Sequence, residues 1–449
     1  MVTQSRPTVG RNWWKTIGLL LWTIGSNAAL AQTPATPTPP AESKKGAFVT
    51  AAHSDSTEGL HWFKGNLHTH SFWSDGNDFP EMIAAWYKDH GYHFLALSDH
   101  NVLSEGQRWI DEEEIHRRTQ EDAIGKYRDR FGERWVEERK NPDTGHRQVR
   151  LKPLHEFGPL LNEAGRFLML TGEEISDRAE GKPVHMNATN LQERIDPVGG
   201  VTVREALINN LRQVLEQERR LGRLILPHIN HPNFGYALTA EDLAAVVEEQ
   251  FFEVYNGHPG VNHLGDEQHM SVEQMWDLAN AIRLSQLNAP PLYGLATDDS
   301  HNYHGINGAS PGRGWVMVQA AFLTPEHLIT ALRSGHFYAS SGVSLRAVRF
   351  DETSRTLTLE MPSEEGTEYT TQFIATLSPE AAGALPAADR IGIVVAEQQG
   401  NVATYTLTGT ELYVRAVVTS SRPHPNPSYD GQRQQAWTQP VGWTLPPPN

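Results

Sequence analysis

The sequence predicts an α/β fold that is followed by a smaller segment of antiparallel β structure. Between about residues 60 and 345, short apolar runs alternate with helical patterns, which is typical of β/α units around a parallel sheet or barrel. After Ser344 the runs are short, β-branched and separated by turn residues, which indicates a small β-sandwich-like domain and a tail over residues 346–449. A chain of 449 residues is also long enough for more than one domain.

The beginning of the chain has the composition of an export leader and a linker. Arg11 and Lys15 precede a short apolar run over residues 17–24, and residues 29–31, Ala-Leu-Ala, supply the small side chains of a cleavage site. Residues 1–31 are therefore predicted to be a signal peptide cleaved before Gln32. The Pro/Thr/Ala-rich stretch that follows predicts a flexible tether over residues 32–59. We therefore expect a periplasmic or secreted protein with no membrane insertion after cleavage, and an uncleaved anchor helix is the alternative.

Composition limits the partners and the metal ligands. The net charge is −16, and it becomes −19 without residues 1–31, which contain three basic side chains and no acidic ones. This acidity argues against a nucleic-acid polymer as the partner, and we expect a small-molecule substrate. The chain contains no cysteine, so histidine and carboxylate side chains must hold any metal ion.

Local signals mark helix boundaries inside the α/β region. They are, in chain order, Pro80 and Gly91 at the two ends of one helix, capping boxes at Thr202 with Glu205 and at Ser271 with Gln274, and a helix that begins at Thr324-Pro325 and ends at Gly335.

Residues from 105 to about 140–150 are unusually charged, yet Ala123, Ile124, Tyr127 and Phe131 recur near helical spacing. We predict a helical insertion there, which either caps the site or forms a solvated excursion.

Histidine and carboxylate side chains terminate six successive apolar runs. In a β/α barrel the carboxyl ends of the strands share one face, so these side chains are expected to converge. Burying so many polar groups together without a cation would be costly, and their chemistry suits two or three divalent ions of zinc, manganese or iron. The groups are His68 and His70, Asp99 and His100, Glu173 and Glu174, His228 and His231, Glu253 and His258, and Asp298, Asp299 and His301.

The order of these motifs resembles that of a known superfamily. The series His68-Thr69-His70 with Asp75, Ser98-Asp99-His100, Gly172-Glu173, His185, Asn230-His231-Pro232 and Asp299-Ser300-His301 is similar to the motifs of the PHP (polymerase and histidinol phosphatase) superfamily. "EVYNG" and "TDDSH" resemble its secreted, stand-alone hydrolases, including the branch close to carbaryl hydrolase. Over residues 60–345 the resemblance implies a distorted (β/α)7 barrel with a trinuclear metal cluster, most often acting on phosphate esters.

The resemblance also implies a role for each ligand. Asp75 stands where the superfamily often has histidine, which leaves the identity of the metal open, and His228 competes with His185 for one position. The implied ligands are His68, His70 and Asp299 for one metal, Glu173 as the bridging carboxylate, His185 and His231 for the second metal, and Asp75, His100 and His301 for the third.

Four residues are candidates for catalytic roles. Besides Glu173, Asp99 is expected to accept a hydrogen bond that orients an imidazole, and His258 is a candidate general acid, with His304 as the alternative. Arg178 is a candidate for binding a phosphoryl oxygen, and pairing with a surface carboxylate is the alternative.

The leading functional hypothesis is a phosphoesterase that uses a metal-bridging hydroxide on a phosphomonoester or phosphodiester. Two alternatives remain, namely hydrolysis of a carbamate, amide or ester at the same site, and a non-catalytic metal-dependent binding module.

Overall fold

The structure, a computed structural model, describes residues 59–305 and 308–445. The predicted signal peptide and all of the predicted tether but its last residue lie outside the described residues. Among the residues described, no helix combines the length and the apolar character that crossing a membrane requires.

The α/β region contains the alternating elements that its sequence predicts. The predicted capping boxes at Thr202 and Ser271 both form, and Thr324 caps the predicted helix after it. The elements are β1 (His61–Asn66), α1 (Pro80–Asp89), β2 (Phe94–Leu97), β3 (Arg108–Asp111), α2 (Glu112–Thr119), α3 (Ala123–Phe131), β4 (Glu138–Lys140), β5 (Arg147–Leu151), α4 (Leu154–Leu161), β6 (Leu168–Ala179), β7 (Lys182–Thr189), α5 (Val203–Leu221), β8 (Leu226–Ile229), α6 (Ala240–Ala245), β9 (Phe251–Asn256), α7 (Val272–Ser285), β10 (Tyr293–Thr297), β11 (Trp315–Ala320), α8 (Pro325–Arg333) and β12 (Phe337–Ser340).

The remainder of the chain is mostly strand, as its β-branched runs predict. Its elements are β13 (Ala347–Asp351), β14 (Thr356–Glu360), β15 (Tyr369–Leu377), the short helix α9 (Pro379–Ala382), a 3₁₀ turn (Ala387–Asp389), β16 (Ile393–Gln399), β17 (Val402–Thr406), β18 (Glu411–Pro423) and β19 (Arg433–Thr438).

One large mixed sheet contains most of these strands. Its order is β10-β9-β8-β7-β6-β2-β1-β11-β12-β19-β18-β15-β16. The neighbours β1 and β2, β2 and β6, β8 and β9, and β9 and β10 pair in parallel, whereas β7 runs antiparallel to both β6 and β8. The succession of β/α units is therefore interrupted by a hairpin between β6 and β7.

The first seven strands of this order, from β10 to β1, do not close into a barrel. In the described residues no ladder joins β10 to β1, and the loops after them meet at a single parallel bridge between Thr69 and Ser300. A side chain also connects these two ends, because the amide of Asp298, directly after β10, donates to Oδ1 of Asn66 at 3.5 Å. The mixed α/β fold with a large sheet is as expected, whereas the distorted (β/α)7 barrel is not confirmed, because the described strands form no closed barrel.

The C-terminal strands continue the same sheet. β12 pairs with β19, and Trp437 of β19 packs with Tyr255 of β9, their ring centroids 5.7 Å apart. Trp437 also donates through Nε1 to Glu273 of α7. A second sheet, β13-β14-β17, shares a buried apolar cluster with β15 and β18. The boundary at residue 345 stays a prediction, since backbone pairing runs across it.

The insertion contains more than the predicted helices. Besides α2 and α3, the insertion forms a three-stranded antiparallel sheet of order β3-β5-β4, which the sequence did not predict. Ile115 and Tyr127 pack against Phe72 and Phe79, and Arg118 donates to the Ser74 carbonyl at 2.7 Å. The insertion therefore supports the loop that follows β1.

Candidate metal centre

The carboxyl ends of the parallel strands bring the predicted ligands together. His68 and His70 follow β1, His100 follows β2, His231 follows β8, and Asp299 and His301 follow β10, while Glu174 and His185 lie within the β6–β7 hairpin. Such edges are where open α/β sheets and barrels build their sites.

Glu174 lies at the centre of the cluster. Its Oε1 is 2.9 Å from Nδ1 of His185 and 3.4 Å from Nε2 of His231. Its Oε2 is 2.7 Å from Nδ1 of His100 and 3.4 Å from Nε2 of His70. The two oxygens of one carboxylate therefore face two different sets of imidazoles.

The predicted bridging residue, Glu173, lies on the other face of β6. Successive side chains of a strand point to opposite faces, so only one of two neighbouring glutamates can reach the cluster. The carboxylate of Glu173 accepts a hydrogen bond from the amide of Ile195 at 3.0 Å instead, and burial raises its pKa to about 7. Glu173, to which the resemblance gives the bridging role, therefore lies away from the cluster, and Glu174 is the glutamate of this motif that reaches it.

Asp75 forms a second group of potential ligands at the edge of the cluster. Its Oδ1 is 3.4 Å from Nε2 of His301 and its Oδ2 is 3.5 Å from Nε2 of His100. These three residues and His70 each offer one ligand atom, and the four atoms lie within 4.8 Å of one another. The side chain of Asp75 is 57% exposed, so this group faces solvent.

His68 is held from behind by Glu253. Nδ1 of His68 is 2.7 Å from Oε1 of Glu253, while its Nε2 points to Oδ1 of Asp299 at 3.2 Å. A carboxylate on one ring nitrogen fixes the orientation of an imidazole and increases its basicity as a ligand. His228 also lies on Glu253, at 3.5 Å, whereas His185 contacts Glu174. The geometry thus places His185 in the central cluster and His228 behind His68.

Asp299 adopts a left-handed backbone conformation, with φ of 47°. The neighbouring Asp298 accepts hydrogen bonds from the amides of Gly312, Arg313 and Gly314, at 2.6–2.9 Å. This anchoring allows an uncommon conformation to persist at Asp299 and directs its carboxylate toward His68 and His70.

The structure separates the remaining candidates. Asp99 accepts from the Ser71 amide and hydroxyl and from the Ser74 hydroxyl, so it shapes the loop after β1. His258 lies beside His301, with 5.6 Å between their ring centroids. Arg178 is exposed, and its Nη1 donates to the Gly181 carbonyl at 3.3 Å within its own hairpin.

The close packing of imidazoles and carboxylates shifts the pKa values of the cluster residues strongly. Although burial would raise them, the surrounding imidazoles hold the pKa values of Glu174 and Asp299 well below the ordinary carboxyl range. Burial lowers the pKa of His100, but Glu174 and Asp75 outweigh it and raise the value to about 11. The pKa of His70 is lowered to about 3, chiefly by burial, so its ring is neutral at pH 7. The carboxylates are therefore anionic at neutral pH, as metal ligands must be.

The donor set fits divalent cations. Nε2 of His68, Nδ1 of His185 and Oε2 of Glu174 are buried atoms without a hydrogen bond in the described structure, although other cluster atoms surround them. Buried polar groups are normally hydrogen-bonded. Several donor atoms that lie close together without hydrogen-bond geometry are typical of side chains that share a metal ion. Imidazole nitrogens mixed with carboxylate oxygens suit zinc, manganese or iron.

Several solved structures resemble the chain. One is a two-domain protein from Bacteroides vulgatus that contains a predicted PHP-like metal-dependent phosphoesterase, with a TM-score of 0.38 and 16% identity over 85% of this chain and 96% of that one. Another is PsfC from Pseudomonas syringae, with a TM-score of 0.29 and 14% identity over 57% of this chain and 82% of that one. No family model matches the sequence, and no curated protein does. Conclusions about the chemistry of the chain therefore depend on its own side chains.

Glu174 was the central residue that sequence reasoning did not place. It was present in the motif "TGEE", but Glu173 and Glu174 are both completely buried, so hydrophobic alternation does not distinguish them. Strands covered on both faces lack the apolar and polar alternation that reveals orientation.

Proposed function

We propose that the protein is a metal-dependent phosphoesterase that holds two or three divalent ions of zinc, manganese or iron. The observation that carries the proposal is Glu174, whose two oxygens face five imidazoles, one of them His68 at 3.5 Å. Such a carboxylate can serve adjacent cations at once. The motif order that resembles the PHP superfamily supports a phosphate ester as the substrate.

Divalent cations bound here would activate water as a nucleophile near neutral pH and neutralise charge on phosphoryl oxygens. The protein's own groups supply orientation. Glu253 fixes the ring of His68, and Asp99 fixes the serines of the loop that carries His70 and Asp75.

His258 is a candidate hydrogen-bond donor to the substrate. Its Nδ1 accepts from the Gly260 amide at 2.9 Å, so the proton of the neutral ring resides on Nε2. Phe234 packs edge-on against the ring, with 5.7 Å between centroids. We assign His258 Nε2–H to hydrogen bonding with the leaving-group oxygen of the substrate.

One observation favours the alternative of a neutral carbamate, amide or ester as the substrate. Within the described residues, no lysine or arginine forms an ion pair with Asp75, Glu174 or Asp299. Recognition of an anionic phosphate would then depend on the cations and on neutral donors such as His258. The two substrate classes therefore have to be separated by assay.

The test measures metal content and hydrolysis in the same preparation. Metal is counted by mass spectrometry, removed with a chelator and restored as Mn²⁺ or Zn²⁺. Activity is then followed on p-nitrophenyl phosphate, bis-p-nitrophenyl phosphate and a naphthyl carbamate. Metal-dependent release from either phosphate ester supports the proposal, and carbamate turnover without phosphate ester hydrolysis would replace it with the alternative.

The proposal extends to the place of action. Export to the periplasm or the medium, with a small molecule as the partner, follows from the predicted signal peptide of residues 1–31. The intact mass of protein purified from its native host should correspond to a chain that begins at Gln32, and a retained Met1 would exclude cleavage.

A further inference from the structure

Arg313 joins three segments that are distant in the chain. Its side chain is buried, and its Nη1 donates to the carbonyls of Gly257 at 2.8 Å and Gly308 at 2.7 Å. Its Nε and Nη2 donate to Oδ1 of Asn426 at 3.2 and 3.1 Å. A planar guanidinium with donors in fixed directions thereby sets the spacing of these three backbones.

Two of the three segments carry residues of the metal centre. Gly257 directly precedes His258. Gly308 directly precedes Ala309, whose carbonyl accepts a hydrogen bond from the amide of His301 at 2.8 Å. The packing around Gly257 is tight, because a Cβ there would lie 2.9 Å from that of Arg313. A displacement of the Arg313 side chain would therefore move both loops.

The third segment comes from the C-terminal region. Residues 423–427 read PHPNP and are called the strap below. His424 lies across Arg313, with its Nε2 3.2 Å from the Arg313 carbonyl, and its Nδ1 accepts from the Asn426 amide at 3.0 Å. Asn426 Nδ2 also donates to the Ser310 hydroxyl at 3.1 Å. The three prolines fix φ and reduce the freedom of the strap in the unfolded chain.

We infer that the strap is a positioning element of the metal centre, in which Asn426 acts through Arg313 to hold the His301 and His258 loops in place. No side chain of residues 346–445 belongs to the described metal-ligand groups. The C-terminal region nevertheless reaches the site through this contact. The inference rests on the proposed function only in taking His301 as a metal ligand, and metal binding tests it without any substrate.

Asn426 is a suitable position for the test because it is only half-buried, so its replacement removes few apolar contacts. Asn426→Ala removes the side-chain acceptor for Arg313 and the donor to Ser310 and Pro311, and it keeps the backbone carbonyl of residue 426, which accepts from Arg313 Nε at 3.1 Å. Asn426→Asp retains the acceptor and should pair with the guanidinium. Asn401→Ala is the matched control, since Asn401 is equally half-buried in the same region and donates to the Pro362 carbonyl at 2.9 Å.

The experiment titrates each full-length protein with Mn²⁺ alone, by equilibrium dialysis and metal counting. We expect Asn426→Ala to lower the affinity for one Mn²⁺ by about 10-fold. This is the lower end of the effect that residues orienting metal ligands have on metal affinity. Asn426→Asp should restore most of the affinity, and Asn401→Ala should bind as the wild type does. The thermal unfolding midpoints of the two alanine variants should agree within a few degrees.

The outcomes separate the two proposals. Wild-type affinity in Asn426→Ala, or an equal loss in Asn401→Ala, would overturn the role of the strap while leaving the metal centre intact. A wild-type protein that binds neither Mn²⁺ nor, in parallel titrations, Zn²⁺ or Fe²⁺ would overturn both. With p-nitrophenyl phosphate, excess Mn²⁺ should restore the part of kcat that Asn426→Ala loses with the metal, while a remaining loss at full occupancy is expected from a displaced His258. A kcat that does not rise at all as Mn²⁺ occupancy is restored would contradict the positioning of His301.

Discussion

Replacing Glu174 with glutamine tests the centre of the cluster, and the chain supplies its own control. Glu173 is the adjacent residue, it is just as completely buried, and its side chain points to the opposite face of β6. Glu173→Gln keeps an oxygen that can accept from the Ile195 amide. The two substitutions therefore make the same chemical change at adjacent positions of one strand, and only Glu174 faces the candidate metal centre.

The magnitude follows from the charge that Glu174→Gln removes. A unit charge about 4 Å from another contributes about 4 kcal/mol at an effective dielectric constant of about 20. Since each factor of ten in rate corresponds to about 1.4 kcal/mol, one such interaction corresponds to about three orders of magnitude. The amide nitrogen would also replace an oxygen that faces either His185 or His100, so at least one cation should lose a ligand.

The assay compares wild type, Glu174→Gln and Glu173→Gln for metal content and for kcat/KM on p-nitrophenyl phosphate. We expect Glu174→Gln to lose at least one metal equivalent and about three orders of magnitude in kcat/KM. Glu173→Gln should stay within about tenfold of the wild type, because its carboxylate bonds the Ile195 amide and not the imidazoles of the cluster. Full activity in Glu174→Gln, or the larger loss in Glu173→Gln, would refute the assignment of the bridging carboxylate.

Three further substitutions test other contacts. Arg178→Ala should leave KM for phosphate esters within about twofold, since Arg178 bonds its own hairpin; a rise of about 30-fold, equivalent to ~2 kcal/mol, would show a phosphate contact. Glu253→Gln should lower Mn²⁺ affinity about 10- to 100-fold in equilibrium dialysis by weakening the hold on His68, and unchanged affinity would contradict this role. Burial raises the pKa of Glu249 from 4.5 to about 7, so its stabilising protonation is lost as pH rises through that window. Urea unfolding of Glu249→Gln should therefore show a smaller loss of stability between pH 5 and pH 8 than the wild type, and parallel pH profiles would be evidence against the raised pKa.

Sequence reasoning identified the kinds of side chain at the site because chemistry and chain order are local properties. Runs that end in His68 and His70, or in Asp299 and His301, are visible as letters, and the absence of cysteine limits the ligands to imidazole and carboxylate. Helix starts were predictable for the same reason, since a cap such as Thr202 with Glu205 is completed within four residues.

Only the tertiary structure decided between Glu173 and Glu174. The choice depends on which face of β6 turns toward the cluster, and both faces are buried, so no periodicity in the sequence marks it. The same holds for the failure of the seven strands to close, because pairing between β10 and β1 depends on a contact between residues that are more than two hundred positions apart. Asn426 and Arg313 are 113 residues apart, and nothing in PHPNP alone indicates its partner. Long-range contacts of this kind depend on how the whole chain packs, whereas ligand type and helix caps depend only on neighbours in sequence.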